Sequence, residues 1–285
     1  MLTGSYVVLE GAPALVLAVD RYAVADDAEV DPSPSAEIAA AMTRAPRVDT
    51  SALYDVPGEK LGLGSSAAAL VAALGAEAAA AGKDLATPDV RRAIFDRARE
   101  AHAKVQGGGS GVDIAASVYG GLLAYRVSGE ARPMVVPPGF VFEAYYAGRS
   151  ARTSTMRAQV DALRTRDPEL HRAIFAELAR AAESAASAIA EADVPGFLRE
   201  CRYALTGLKA LAKASGAPIV PEDAAKLDAL AERAGSVFLP SGAGGGDVFV
   251  HVGLGEAARP FKDEIDRFRW KRLTLGIDEV GVSRQ

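Results

Sequence analysis

Lys60-Leu61-Gly62-Leu63-Gly64-Ser65-Ser66-Ala67-Ala68 runs from a glycine turn directly into an alanine-rich segment. Residues 67–81 are dominated by alanine and leucine, the strongest helix formers, and Gly82 supplies a stop. A helix entered from a glycine turn presents unpaired N–H groups and the positive end of its dipole, which suits an anion as large as a triphosphate. The hydroxyls of Ser65 and Ser66 are hard oxygen donors of the kind Mg²⁺ prefers. The same letters also serve an ordinary turn with a serine cap. Two better-known phosphate loops do not fit. No G-x-x-x-x-G-K-[ST] string occurs, and the formal dinucleotide match Gly62-x-Gly64-x-x-Ala67 follows Asp55-Val56-Pro57-Gly58-Glu59-Lys60 instead of a buried strand.

Two further glycine clusters stand far away in sequence, Gly107-Gly108-Gly109-Ser110-Gly111-Val112-Asp113 and Ser241-Gly242-Ala243-Gly244-Gly245-Gly246-Asp247. Glycine clusters occur where the backbone needs positive φ or where a ligand approaches main-chain N–H groups closely. Asp113 precedes an apolar helical run, where a carboxylate either caps the helix or, facing a phosphate donor, orients or deprotonates an acceptor hydroxyl. Lys60 stands where an ammonium neutralises phosphate charge or simply meets solvent. Asp247 closes a turn or adjoins a ligand.

The chain has 285 residues, 49% of them hydrophobic, and a formal net charge of -5. That length predicts two domains, and that charge argues against a general nucleic-acid binder. Cys201 is the single cysteine, so no internal disulfide forms and a reduced, cytoplasmic protein is expected. The apolar run 14–19 lacks a basic leader and is flanked by Glu10 and Asp20, while residues 67–81 are interrupted by Glu77 and fall short of a membrane span. No membrane role is expected, and the chain is read as a monomer or homodimer.

Residues 6–9 and 14–19 read as β-prone runs about a turn, predicting an opening hairpin. Residues 26–60 carry no clear period. Thr87-Pro88 predicts a second helix with a capping hydroxyl, reaching toward His102. Residues 114–118 read as helix, and residues 122–125, 134–136 and 140–146 as strands, with Pro137-Pro138-Gly139 the domain boundary. Residues 154–214 form a long helical region cut by Pro168 and Pro195 and closed by Gly216. Strands at 237–239, 248–252 and 273–275 flank a helix over 257–270. Without regular βαβ alternation, the order predicts an α+β fold.

Taken in order, these motifs resemble the GHMP small-molecule kinases over most of the chain, and in detail the phosphomevalonate kinase branch. Residues 60–68 are similar to that superfamily's second motif, and Gln106 to Ala116, with Tyr119-Gly120-Gly121, to the segment carrying its aspartate. Residues 241–247 are similar to its third motif. Gly148-Arg149-Ser150-Ala151-Arg152-Thr153-Ser154-Thr155 resembles its substrate-side loop. In mevalonate kinases a magnesium-binding glutamate stands where this chain has His102. The superfamily's glycine-lysine pair, placed just before the stretch matching residues 3–9, does not lie within the sequence.

The resemblance implies an N-terminal domain of the ribosomal protein S5 type over 1–138 and a ferredoxin-like domain over 139–285, with ATP·Mg²⁺ and substrate meeting between them. It implies γ-phosphoryl transfer to phosphomevalonate. Another hydroxylated acceptor, such as mevalonate, or a silent nucleotide sensor are the alternatives. It assigns ATP to Gly62, Leu63, Gly64, Ser65, Ser66 and Ala67, catalysis to Lys60 and Asp113, and the metal to Ser66. It assigns the substrate to Ser110, Gly111, Arg149, Arg152, Ser241, Gly242, Ala243 and Gly244.

Overall fold

The computed structural model describes residues 1–55, 58–149, 153–246 and 248–284. Of the expected site residues, Arg152, with Ser150 and Ala151 beside it, and Asp247 lie outside the described residues.

The first half comprises β1 (Ala14–Leu17), β2 (Val24–Val30), α1 (Ala36–Ala41), β3 (Pro46–Asp49), α2 (Ser65–Ala80), α3 (Pro88–Gln106), α4 (Val112–Tyr119), β4 (Leu122–Tyr125) and β5 (Ala131–Met134). β1, β4 and β5 form an antiparallel sheet in that order, and β2 pairs separately with β3. α2 is buried along most of its length because its side chains are small, so helix and strands approach closely around Leu70, Ala73 and Leu74.

The second half comprises β6 (Val141–Tyr146), α5 (Thr153–Arg166), α6 (Pro168–Ala190), α7 (Val194–Ser215), α8 (Glu222–Arg233), β7 (Val237–Pro240), β8 (Val248–Gly253), α9 (Arg259–Arg267) and β9 (Lys271–Leu273). Its antiparallel sheet runs β7-β8-β6-β9, with the half's first strand between its third and fourth, the ferredoxin-like order. Alternation along β6 divides the two faces. Ala144 and Tyr146 pack with Leu15, Leu17, Leu122 and Phe197 in a core that both halves share. Tyr145 packs on the other face with Phe238, Phe249, Phe261 and Trp270.

After β9 the chain crosses back to the first half as a strap. Asp20 N donates to Gly276 O, Asp278 N to Ala18 O, and Val282 N to Val118 O, at 3.1, 3.1 and 3.2 Å. Gly120 and Gly281, both at positive φ, pass so closely that a Cβ on Gly281 would lie 2.5 Å from Val118 O. Val282 fills the notch over Gly75, where a Cβ would meet its Cγ2 at 2.7 Å.

Local structure departs from the sequence reading at several points, among them the last strand, expected at 273–275 and found over Lys271–Leu273. The opening hairpin is absent: Val7–Glu10 is a 3₁₀ helix closed by Gly11 at φ 97°. Gly4 (φ 91°) and Tyr6 (φ 67°) leave the extended region, and Gly4 has no room for a side chain against Pro13 O and Ala14 Cα. Thr87 does not cap α3, since its hydroxyl donates to Asp84 O at 2.9 Å. The strand expected at 134–136 lies earlier, over Ala131–Met134, where it pairs with β4. α8 was not anticipated. Residues 26–60, without a readable period, hold β2, α1 and β3.

Candidate active site

α2 and α4 begin side by side, each from a left-handed glycine: Gly64 at φ 78° and Gly111 at φ 76°. A Cβ on Gly64 would sit 3.2 Å from both Cβ and Cγ of Asp113. The first glycine motif is therefore in van der Waals contact with the aspartate of the second, 49 residues away in sequence. Gly64 has no side chain to cap α2, which leaves first-turn amides for an external acceptor. Ser65 is buried, whereas Ser66 is half-buried beside it.

A cleft of about 320 Å³ joins the three glycine clusters. Gly62, Leu63 and Ala68 line it from the first, Ser110, Val112 and Asp113 from the second, and Ser241, Gly242 and Ala243 from the third. The carboxylate of Asp113 is exposed rather than locked into a cap. Apolar walls come from Val16 and Leu17 of the first half and Phe142, Ala144, Val248 and Val250 of the second, so the cleft lies on the face where the halves meet.

Each glycine loop is fixed from behind. Tyr125, fully buried, donates from its hydroxyl to Ser110 O at 2.6 Å, and Ser110 Oγ accepts from the Val112 amide at 3.4 Å. Ser110 thus shapes its own turn as well as facing the cleft. The end of α3 is tied to α1 by Gln106 Nε2 donating to Glu37 Oε1 at 2.8 Å. Burial pushes the Glu37 carboxyl up, but this bond and its neighbours outweigh it and hold the group below its ordinary value. His102 packs its ring against Gly109, with Cε1 3.3 Å from where a Cβ would stand.

In the third loop Ser241 N donates to Val248 O and Gly245 N to Ile219 O. Tyr6 donates from its hydroxyl to Ala243 O at 2.7 Å, and burial raises the pKa of that phenol. Ser241 Oγ lies 2.9 Å from the nitrogen of Met1. Gly244 is pressed on Ile219 O, and a Cβ on Gly246 would come within 2.6 Å of Arg149 Cγ.

Arg149 is not among the residues lining the cleft. Its Nη2 donates to both carboxylate oxygens of Asp223 at 2.8 Å, and its guanidinium stacks 5.7 Å from the Trp270 ring centroid. Trp270 Nε1 donates to the same carboxylate at 3.0 Å. Burial raises the Asp223 pKa, yet these bonds prevail and the net shift is downward. Lys60 is exposed, on the short bridge between Tyr54 and Lys60 that leads into Gly62. Tyr146 donates to Glu59 at 3.2 Å, and Lys271 pairs with Asp55, so this lead-in is held by the second half.

Sequence reading missed Arg21, which lines the cleft from just beyond β1. Its only signal was being the first cation after the apolar run 14–19. It also missed the tyrosine fasteners Tyr6 and Tyr125, whose roles depend on contacts distant in sequence.

Comparison with known proteins adds independent findings. A family model described as the GHMP kinases N terminal domain matches residues 38–121. The phosphomevalonate kinase of Streptomyces sp. (strain CL190) is 31% identical over 244 residues, which are 77% of this chain and 63% of that protein. The chain thus spans less than two thirds of that relative's length. Lin0012 protein from Listeria innocua shares the fold with a TM-score of 0.83 at 21% identity, over 97% of this chain and 94% of that one. Streptococcus pneumoniae phosphomevalonate kinase, in complex with phosphomevalonate and AMPPNP, gives 0.73 at 16% identity over 97% and 96%. Methanococcus jannaschii mevalonate kinase gives 0.70 at 16% over 97% and 95%. At such identities these structures speak for the fold alone.

Proposed function

This chain is a member of the GHMP kinase superfamily, and on that premise we propose that it transfers the γ-phosphoryl group of ATP to phosphomevalonate, giving the diphosphate. The observation that carries the reading is the meeting of the three glycine clusters on one cleft, with Gly64 and Asp113 in contact.

The first-turn amides of α2, from Ser65 to Ala67, cradle the nucleotide phosphates, and Gly62 and Gly64 let the backbone approach them. The third loop, Ser241 to Gly244, and the Ser110-Gly111 turn enclose the acceptor. Asp113 faces the cleft between these two surfaces and orients the acceptor. An acceptor phosphate is already mostly ionised near neutral pH, so a strong base is unnecessary and positioning with charge compensation dominates. Lys60 reaches the repelling phosphates on its flexible stem and shields them.

The described residues include no group of three or more His, Cys, Asp or Glu able to hold a metal ion. Ser66, half-buried in the first turn of α2, carries the hard oxygen donor that would hold a Mg²⁺ ion brought in with the nucleotide. Bound there, it supplies neutralisation of phosphate charge. No helix among the described residues is long and apolar enough to cross a membrane. We place the protein in the cytoplasm as a monomer or homodimer.

Coupled ADP-release assays on phosphomevalonate, mevalonate, homoserine and galactose test the proposal. Turnover of phosphomevalonate above the others is expected. Turnover of mevalonate alone rejects the acceptor, and no turnover of any of them rejects the kinase reading.

A further inference from the structure

Arg21 is the one cationic side chain lining the cleft among the described residues. It forms no ion pair there, and its described hydrogen bond is an exposed one, from Nη2 to Thr274 O at 3.3 Å. That single acceptor leaves most of its five N–H donors without a described partner. Arg21 borders the cleft together with Ala68 and Ser117. Ala68 stands one turn along α2 from Gly64, its amide bonded to Gly64 O at 3.0 Å. Ser117 stands one turn along α4 from Asp113, its hydroxyl donating to Asp113 O at 2.9 Å. Arg21 thus lines the cleft together with residues that lie one helical turn beyond the Gly64–Asp113 contact.

Arg21, Ala68 and Ser117 also border a second cavity of about 590 Å³, which runs between β2 and the strap. That cavity carries Asp26, Asp27 and Asp278, with Arg284 as its other cation. Its acidic wall repels an anion, whereas in the cleft Asp113 is the only other charged side chain among the described residues, and no ion pair joins it to Arg21. Arg21 thus marks the end of the space in which a negatively charged acceptor is favoured.

Resting on the function proposed above, we infer that Arg21 is a specificity-determining residue that binds the carboxylate of the acceptor while its phosphate points toward the first-turn amides of α2. Six bonds separate the carboxylate carbon of phosphomevalonate from its phosphorus, so the two charges of the acceptor reach different parts of the cleft. A planar guanidinium matches a carboxylate through paired N–H donors, a match that a lysine ammonium does not reproduce.

Arg21→Met and Arg21→Lys, compared with the wild type, provide the test, using phosphomevalonate and 3-hydroxy-3-methylbutyl phosphate, which lacks the carboxylate. A charged hydrogen-bonded contact of this type corresponds to roughly a 10- to 100-fold rise in acceptor KM in Arg21→Met. kcat and the KM for ATP should stay within about twofold, with Arg21→Lys intermediate. The carboxylate-free compound should be handled weakly and equally by all three proteins. An unchanged acceptor KM, a rise confined to ATP, or an equal loss on both acceptors overturns the assignment. Calorimetric binding of phosphomevalonate separates this from the kinase reading. Binding that weakens in Arg21→Met without any turnover in the wild type keeps Arg21 and discards the kinase. Turnover with unaltered binding does the reverse, and no binding by the wild type discards both.

Discussion

Replacing Gly64 by alanine probes the contact on which the site depends. Two costs can be assigned from its surroundings. The left-handed conformation, φ 78°, disfavours a side chain by about 1–2 kcal/mol. The new methyl would also meet Asp113 Cβ and Cγ at 3.2 Å, so the carboxylate must retreat by a few tenths of an ångström. Gly82 supplies the control: its φ of 75° carries the same backbone cost, but nothing lies within 4 Å of a Cβ there. Both substitutions should lower Tm by similar amounts, about 2–4 °C for each kcal/mol in a chain of this size. Only Gly64→Ala should lower kcat/KM substantially, by about tenfold, since displacing a reacting group by 1 Å costs about 100-fold. Thermal unfolding and ADP-release kinetics on the two purified variants read both quantities. If Gly64→Ala and Gly82→Ala keep equal activity, contact with Asp113 does not position the catalytic centre.

Other perturbations separate the remaining roles. Asp113→Asn and Lys60→Ala should reduce turnover by about 100-fold or more with Tm nearly unchanged, because both side chains are exposed; Tm losses with normal turnover would remove their assigned roles. Ser66→Ala should raise the Mg²⁺ concentration needed for half-maximal rate, and an unaltered metal titration would deny its hydroxyl to the ion. Arg149→Ala and Asp223→Asn should raise the acceptor KM alike through the third loop, with the double variant no worse than either alone; additive losses would mean independent functions. His251 is buried on the Phe261 side of the sheet, where burial lowers its pKa against the pull of Glu143. The unfolded chain therefore binds more protons, and stability present above about pH 6.5 should decline as pH falls through and below that value. His251→Gln should flatten the dependence of Tm between about pH 7 and 5.5, and an unchanged slope would contradict the sign.

What the sequence disclosed depended on how locally each feature is determined. α2, α6 and α7 were readable because alanine, leucine and helix-starting prolines act within a turn or two, and Gly82 and Gly216 mark the ends. β8 was readable because it is buried on both faces and therefore apolar along its length except at His251. The opening hairpin failed because Gly4 and Tyr6 obey contacts with Pro13 and Ala243, which no local propensity records. The glycine clusters suggest phosphate chemistry on the sequence alone, but their meeting at one cleft is a tertiary fact. Arg149 shows the same limit: its sequence neighbourhood suggested a ligand, whereas its side chain is held by Asp223 and Trp270. Arg21 went unnoticed because a lone cation beyond a strand has no pattern.

The strap bears on how the halves hold together as well as on shape. Besides the connection between β5 and β6, residues 276–282 are a second passage between the halves, clasped by backbone bonds and by the Gly120–Gly281 crossing. The strap thus closes a ring of chain around a core that both halves already share, and it adds to the Tyr6–Ala243 and Lys271–Asp55 contacts between them. A bulky residue at position 281 would therefore force the chain off Val118 and lift Val282 from the notch over Gly75, although position 281 does not itself line the cleft.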